Sequence, residues 1–370
     1  MSRRASLFIA ALFGWSAVAN LSAQAPAKPG SASPTPLASP QVSATPTTKS
    51  LVDSLDPADL KEAIQLLKSN YIKPEALTET ELNRATFEGV LTRLGRGVVL
   101  LPDLGAEAAG SAQPLFGEIL EGHIGYLRLG ALIRPNLDSL DANLKTFATK
   151  KVDALVIDLR ASTASNDFAT ASEFAMRFCP KGKPLFSLRK TTAKQERTFT
   201  SDRDPSYEGL TILLADGDTA GAAEAIAGAI HLYVKALVIG QPTAGRAVEY
   251  SDLKLPSGKV LRVAVGEAVL PEDRPLFPGG LKPDVAVEMP STDKREVFQQ
   301  SREKGMTPFV VENERPHLNE AALISGKNPE LEAMEAAQRR GRGPEKTPVR
   351  DPVLQRALDL VTTIGIFQKR

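Results

Sequence analysis

The chain has 370 residues, enough for one or two ordinary domains with a sizeable buried core. Its 45 Lys and Arg balance 44 Asp and Glu for a formal charge of +1, which removes the electrostatic case for nucleic acid or an anionic membrane surface as partner. Aromatic residues make up 5%, too few for a platform that stacks bases or sugars.

The amino terminus reads MSRRASLFIAALFGWSAVANLSAQA. Arg3 and Arg4 give a positive start, a short apolar stretch follows from Leu7, and small-residue patterns end at Ala19 and Ala25. This order predicts a secretory signal over residues 1–25 rather than a spanning helix. Pro26 is awkward directly after a cleavage point and keeps an uncleaved anchor as the alternative. The expected location is secreted, periplasmic or at the cell envelope, with no strong membrane binding once the signal is removed. Residues 26–50, rich in Pro, Ser, Thr and Ala, cannot bury a core and read as a disordered linker.

A helical region over 51–114 comes next. Asp56 caps its first helix, Pro57 suits the first turn, and Leu60, Ala63, Ile64 and Leu67 share one face. Thr78 and Glu81 stand at capping-box spacing ahead of a second helix, which carries Phe87, Val90, Leu91 and Leu94 before Gly95. RGVVLLP then runs extended, and 103–114 is a small-residue loop.

From 115 to 290 strands and helices alternate. The order is strand HIGYLRLGAL, helix NLDSLDANLKTFATK, buried strand DALVIDLR, helix FATASEFAMRFC, strand TILLAD, helix AAEAIAGAIHLYV and strand ALVIG. Short apolar strands separated by helices argue for parallel βαβ units, hence an α/β fold with a mixed, largely parallel sheet. A hairpin follows, VEYSDLKL and KVLRVAV about the turn PSG, and GGLKPDVAVEM closes the section. Residues 291–370 read as a charged, loosely structured extension, largely disordered over 305–350. It ends in a helix with Asp351 as cap and Leu354, Ala357, Leu358 and Val361 on one face.

Cys179, the only cysteine, ends an apolar helical pattern and reads as a buried structural thiol. His123, His231 and His317 are scattered at no metal-ligand spacing, so no metal or other cofactor is expected.

Residues 217–230, GDTAGAAEAIAGAI, place small residues at a strand-to-helix turn. Gly221 as N-cap and Glu224 three residues later have the spacing of half a capping box, and the Ala and Gly run allows close approach to neighbouring strands. Those roles account for the segment without chemistry. The N–H groups of such a helix start also suit an oxyanion or a carboxylate.

The longer stretch LLADGDTAGAAEAIAGAIHLYVKALVIGQPTAGRAVEY resembles the catalytic segment of the carboxyl-terminal processing (tail-specific) proteases, peptidase family S41. GYLRLGAL and ALVIDLR are similar to that family's core strands, LKLPSGKVLRVAV to its hairpin after the base, and GGLKPDVAVEM to its Gly-Ile-x-Pro-Asp ending. NYIKPEALTETELNRATFEGVLTRLGRG is similar to its amino-terminal region, so the matches run in order over roughly 55–290. The resemblance implies a ClpP/crotonase-like α/β core behind a small helical region, and serine-type peptidase chemistry with a lysine base.

This sequence departs from the family where the chemistry sits. Aligned on Glu224, the nucleophilic serine falls on Gly221, the base lysine on Arg246, and a third polar position on Leu232. Glycine has no side chain to attack with, and arginine does not deprotonate near neutral pH. After Asp158-Leu159-Arg160 the family continues Gly-Asn-x-Gly-Gly. This chain has ASTAS, in which the side chains of Ala161, Ala164 and Ser165 are expected to crowd the oxyanion approach. The interval 103–122 is too short for the PDZ domain that the family commonly inserts there.

The resulting expectation is an inactive pseudopeptidase that binds a peptide or an envelope protein. Its cleft would include Thr219, Ala222, Glu224, Arg160 and Ser165, with Arg246 meeting a substrate carboxylate or Glu224. One alternative is a rewired serine-type peptidase using Thr219, Ser165 or Ser162 with His231 or Glu224 as base. His231 lies roughly 15 Å down the helix at 1.5 Å per residue, too far to serve Thr219. Another is a crotonase-like enzyme holding an acyl thioester at the same helix start. Oligomeric state stays open.

Overall fold

The computed structural model describes residues 48–102, 113–162, 165–310 and 349–368. The expected signal and nearly all of the expected linker lie outside them. The chain forms two compact units divided after Thr78, inside the helical region 51–114.

In the first unit, α1 (Thr48–Asp53) begins within the stretch read as linker, and α2 (Pro57–Asn70) follows. Asp56 caps α2, its carboxylate accepting the Asp59 N–H at 2.8 Å. Pro57 sits in the first turn, where its missing N–H costs no helical hydrogen bond. The apolar stripe is present but not buried, since Leu60, Ile64 and Leu67 are all exposed.

The second unit opens with α3 (Glu79–Leu94) and β1 (Val98–Leu101). Then come β2 (Phe116–Leu120), β3 (Ile124–Arg128), α4 (Arg134–Lys150), β4 (Ala154–Asp158) and α5 (Phe168–Met176). A hairpin of β5 (Pro184–Lys190) and β6 (Gln195–Thr200) precedes β7 (Leu210–Ala215), α6 (Ala222–Val234) and β8 (Leu237–Gly240). β9 (Val248–Lys254), β10 (Val260–Leu270), β11 (Arg274–Pro275) and β12 (Val285–Ala286) follow. Two helices, α7 (Ser291–Lys304) and α8 (Pro352–Gln368), complete the described elements.

The central sheet has the order β12-β8-β7-β4-β3-β2. Its β2–β3 pair is antiparallel and its other pairs are parallel, the mixed, largely parallel α/β sheet expected. Every residue of β3 and β4 is buried because both sheet faces are covered. Alternate residues therefore serve two cores. Leu155 and Ile157 pack with Phe174 and Ile226, whereas Val156 packs with Ile212, Val297, Leu354 and Leu358.

The second sheet is built on β10, which pairs antiparallel with β1, β5, β9 and β11. Its β5–β6 hairpin was not expected from the sequence. The strands bury Leu185, Phe186 and Phe199, while Arg189, Lys190, Glu196 and Arg197 point to water or its edge. α7 corrects the reading of 291–304 as loose, since it lays Lys294, Val297 and Ser301 on one buried stripe. Most of the expected disordered stretch 305–350 lies outside the described residues.

Asp351 caps α8 as expected, its Oδ1 accepting the Val353 and Leu354 N–H groups at 3.1 and 2.9 Å. The same carboxylate is joined to the sheet. Arg160 donates to Asp158 through Nε and Nη2 at 2.9 and 2.7 Å, and to Asp351 through Nη1 and Nη2 at 3.0 and 2.7 Å. Tyr126 Oη donates to Asp158 Oδ2 at 2.7 Å, and all four side chains are buried. Burial alone would raise the Asp158 pKa, but the Arg160 charge and the hydrogen bonds from Arg160 and Tyr126 hold it below the usual carboxylate range.

A depressed native pKa stabilises above the unfolded value and loses that contribution as pH falls through the native one. Urea unfolding should therefore show wild-type stability falling on acidification below about pH 4. Arg160→Leu strands two buried carboxylates and should cost ~3–5 kcal/mol at neutral pH, a deficit that narrows as Asp158 becomes neutral. Cys179 is buried as predicted, and burial pushes its thiol up to about 12. A thiol reagent at pH 8 should leave the native chain unlabelled and react rapidly once urea has unfolded it.

Candidate functional site

The site is built where β7 leaves the central sheet and turns into α6. Gly221 is the N-cap, at φ 64° and ψ −127°, a conformation that glycine takes without Cβ strain. The helix behind it is buried from Ala222 to Ile230. Its small residues allow close packing, and a Cβ at Gly228 would sit 2.7 Å from Leu270 Cδ1.

Glu224 organises this turn. Its carboxylate is fully buried and accepts four hydrogen bonds. Oε2 takes the Gly221 and Arg246 N–H groups at 3.0 and 2.7 Å. Oε1 takes Thr243 Oγ1 and the Gly245 N–H, each at 2.6 Å. The two positions expected from the sequence to correspond to nucleophile and base thus meet on one carboxylate oxygen. The Arg246–Glu224 contact runs through the backbone, not through the guanidinium suggested as partner. That side chain is exposed and makes no ion pair among the described residues.

The oxyanion side differs from expectation. Ser165 forms a parallel bridge with Gly221, and its carbonyl accepts the Ala222 N–H at 2.9 Å. A Cβ placed on Gly221 would lie 2.6 Å from Ser165 O. The backbone of Ser165 itself fills the approach. Ala161 lines an adjoining cavity, and Ala164 lies outside the described residues.

The other sequence-derived residues divide clearly. Thr219 is buried, its hydroxyl donating to Leu159 O and accepting the Asp216 N–H, both at 3.2 Å. Ser165 Oγ accepts the Asp167 N–H at 3.1 Å. Thr243 donates to Glu224 but is itself buried and accepts the Leu281 N–H at 2.8 Å. Arg160 borders the cavity with its donors committed to Asp158 and Asp351, so it holds structure and offers no free donor to a ligand. Leu232 sits three turns along α6, roughly 16 Å from Gly221 at 1.5 Å per residue, and does not join the site. His231 beside it hydrogen-bonds Ala236 O at 2.9 Å.

Sequence reasoning missed the far wall of this region. Lys294 of α7 is buried and donates to Asp216 at 2.5 Å and Asp218 at 2.6 Å, just before the helix start. It borders the same cavity as Arg246, together with Arg128 and Ser162. The only available signal was helical spacing of Lys294, Val297 and Ser301, which hydropathy hides because two of the three are polar. Among the described residues, no group of His, Cys, Asp and Glu is arranged to hold a metal ion.

Glu224 gives this geometry a direct test. Glu224→Gln replaces one accepting oxygen by an NH2 that faces two donors, either the Gly221 and Arg246 N–H groups or the Gly245 N–H and the Thr243 hydroxyl, so urea unfolding should report a loss of ~2–4 kcal/mol. Glu224→Ala, which leaves all four donors unpaired, should be at least as damaging.

Peptidase family S41 matches residues 123–287, a span that includes β3, β4, the helix start and the β9–β10 hairpin. The chloroplast carboxyl-terminal-processing peptidase 1 of Arabidopsis thaliana is 27% identical over 161 residues, covering 44% of this chain and 33% of that protein. The carboxy-terminal processing protease CtpA of Bacillus subtilis is 20% identical over 236 residues, covering 64% of this chain and 47% of its own. The chain therefore spans between a third and about half of the length of these relatives. Among solved structures, the photosystem II D1 C-terminal processing protease superposes with a TM-score of 0.42 at 19% identity, over 48% of each chain. Over residues 123–287 this chain is similar to peptidase family S41.

Proposed function

We propose that this S41 domain is a pseudopeptidase that binds an extended peptide or a protein partner of the cell envelope. The observation that carries the reading is the closure at Gly221. The residue aligned with the nucleophile has no side chain, and the Ser165 carbonyl occupies both the space a side chain would need and the Ala222 N–H. In serine peptidases loss of the nucleophile alone costs on the order of a millionfold in kcat. Loss of one oxyanion donor costs roughly a hundredfold to a thousandfold more.

Arg246 adds to this, because a guanidinium keeps its proton and cannot take one from an attacking hydroxyl. Thr219 and Thr243 are enclosed, and no Ser or Thr at the site has a histidine within hydrogen-bonding reach among the described residues. The surviving property of the cleft is recognition. An envelope location is supported by the signal-like sequence of residues 1–25. Among the described residues no helix is long and apolar enough to cross a membrane.

The purified chain should leave denatured casein and apolar-tailed peptides uncut, as followed by mass spectrometry. The double variant Gly221→Ser/Arg246→Lys should also stay silent, because its serine Cβ would meet Ser165 O, and it should lose ~1–3 kcal/mol of stability from the strained φ. Cleavage by the wild type that disappears in Ser165→Ala or Thr219→Ala would establish a rewired peptidase instead.

A further inference from the structure

Beside the closed helix start lies a cavity of about 900 Å³. Arg246, Ala161 and Ser162 form part of its wall, so it adjoins the position where the family carries its base. From this cavity we infer that the chain recognises carboxylate-rich peptide segments, an inference that rests on the peptide-binding reading above and names the class of peptide.

The wall is built of cations. Arg128, Arg160, Arg246, Lys294, Arg295 and Arg302 line it, with Asp218 as the lining carboxylate. Arg160 is neutralised by Asp158 and Asp351, and Lys294 by Asp216 and Asp218. Counting all of these, six cations stand against four carboxylates. The remaining guanidinium groups, those of Arg128, Arg246, Arg295 and Arg302, have no carboxylate partner among the described residues. Arg302 donates to Gln113 Oε1, a neutral acceptor.

Two buried groups make this more than a basic surface. Arg128 is 5% exposed and stands between the rings of Phe116 and Phe298, with its guanidinium carbon 4.9 and 4.4 Å from their centroids. Its hydrogen bond is to the neutral Ser301 Oγ, at 3.0 Å. A buried guanidinium without a counter-ion is costly and is relieved by an incoming anion. Ser162, on the same wall, is 1% exposed and its hydroxyl has no hydrogen-bond partner. Buried hydroxyls are rarely left so. An uncompensated cation and an orphaned hydroxyl, on two residues that border one cavity, call for the same thing, an oxyanion acceptor.

A carboxylate meets that need, because its two oxygens match the guanidinium fork. The cavity is also far larger than one small anion requires. Leu115, Phe116 and Phe298 offer apolar wall for the aliphatic stems of glutamate side chains.

Fluorescence anisotropy with the full chain tests the assignment. The probes are a labelled Glu-rich peptide, its Gln counterpart of equal length, and inorganic phosphate as competitor. The Glu-rich peptide should bind about tenfold tighter than its Gln counterpart at low salt, and the gap should narrow as salt is added. Arg246→Gln/Arg302→Gln should erase the difference. Ser162→Ala should weaken the Glu-rich peptide several-fold while leaving the unfolding midpoint unchanged or higher, since it removes an unpaired buried hydroxyl.

Equal binding of the two peptides would overturn the anionic preference and leave the peptide reading standing. Failure of both to bind would remove the peptide reading and this inference with it. Displacement of the Glu-rich peptide by phosphate at comparable molar concentration would overturn the peptide as occupant and make this a small-anion site. Unchanged affinity in Ser162→Ala would overturn the role given to its hydroxyl.

Discussion

A carboxylate can stay in a protein interior only if donors replace the water it has lost. Glu224 meets this condition with three backbone N–H groups and one hydroxyl, and in doing so fixes the start of α6 against the loop 243–246. Three of these donors are main-chain groups of residues 221, 245 and 246. The arrangement asks nothing of the Arg246 side chain, whereas a Cβ at Gly221 or Gly245 would stand 2.6 Å from Ser165 O or 2.1 Å from Pro278 O. The turn between β7 and α6 is therefore held at residues 221 and 246 by backbone donors, whatever side chain stands at 246.

The second constraint lies on the other face of the sheet. Asp158 ends β4, Asp351 caps α8, and the fork of Arg160 binds both carboxylates. The last described helix is thereby tied to the middle of the central sheet. Leu354, Ala357 and Leu358 then cover Tyr126, Val156 and Ile212. A residue that sequence logic would place in a cleft is consumed by this tie. The charged carboxyl-terminal region, far from being an appendage, supplies one wall of the core through α7 and α8.

What could be read from the sequence follows the physical nature of each signal. β3 and β4 are covered on both faces and reveal themselves as apolar runs, and α8 through its cap and stripe. The β5–β6 hairpin is half solvated and charged, so its few buried aromatics give no alternation that a pattern can register. α7 hides because Lys294 and Ser301 occupy its buried stripe. α2 shows the converse case, a clear amphipathic stripe that remains exposed. At the site, reasoning from residue types offered Arg246 a substrate carboxylate or Glu224 by charge, but the contact with Glu224 is made by a backbone N–H that any residue except proline would supply. The Ser165 carbonyl was invisible for the same reason, since the path of a loop backbone is not a property of its side chains.

The closure at Gly221 joins two departures that look independent in the sequence. With a side chain at 221, the Ser165 carbonyl could not come within bridging distance, because a Cβ would stand 2.6 Å from it. Without one, the carbonyl approaches and takes the Ala222 N–H, which would otherwise be free to stabilise an oxyanion. On the proposed reading, the position that lacks an attacking group thus also lacks a free hydrogen-bond donor beside it. The backbone gains a hydrogen bond that satisfies a helix-start N–H, so the closed form is favoured by the same rule that makes open helix starts attractive to anions. On the proposed reading, the place where a bond would be cut has been filled by the protein itself. The cavity assigned to an oxyanion of the bound peptide lies one step away, against Arg128, Ser162 and Arg246.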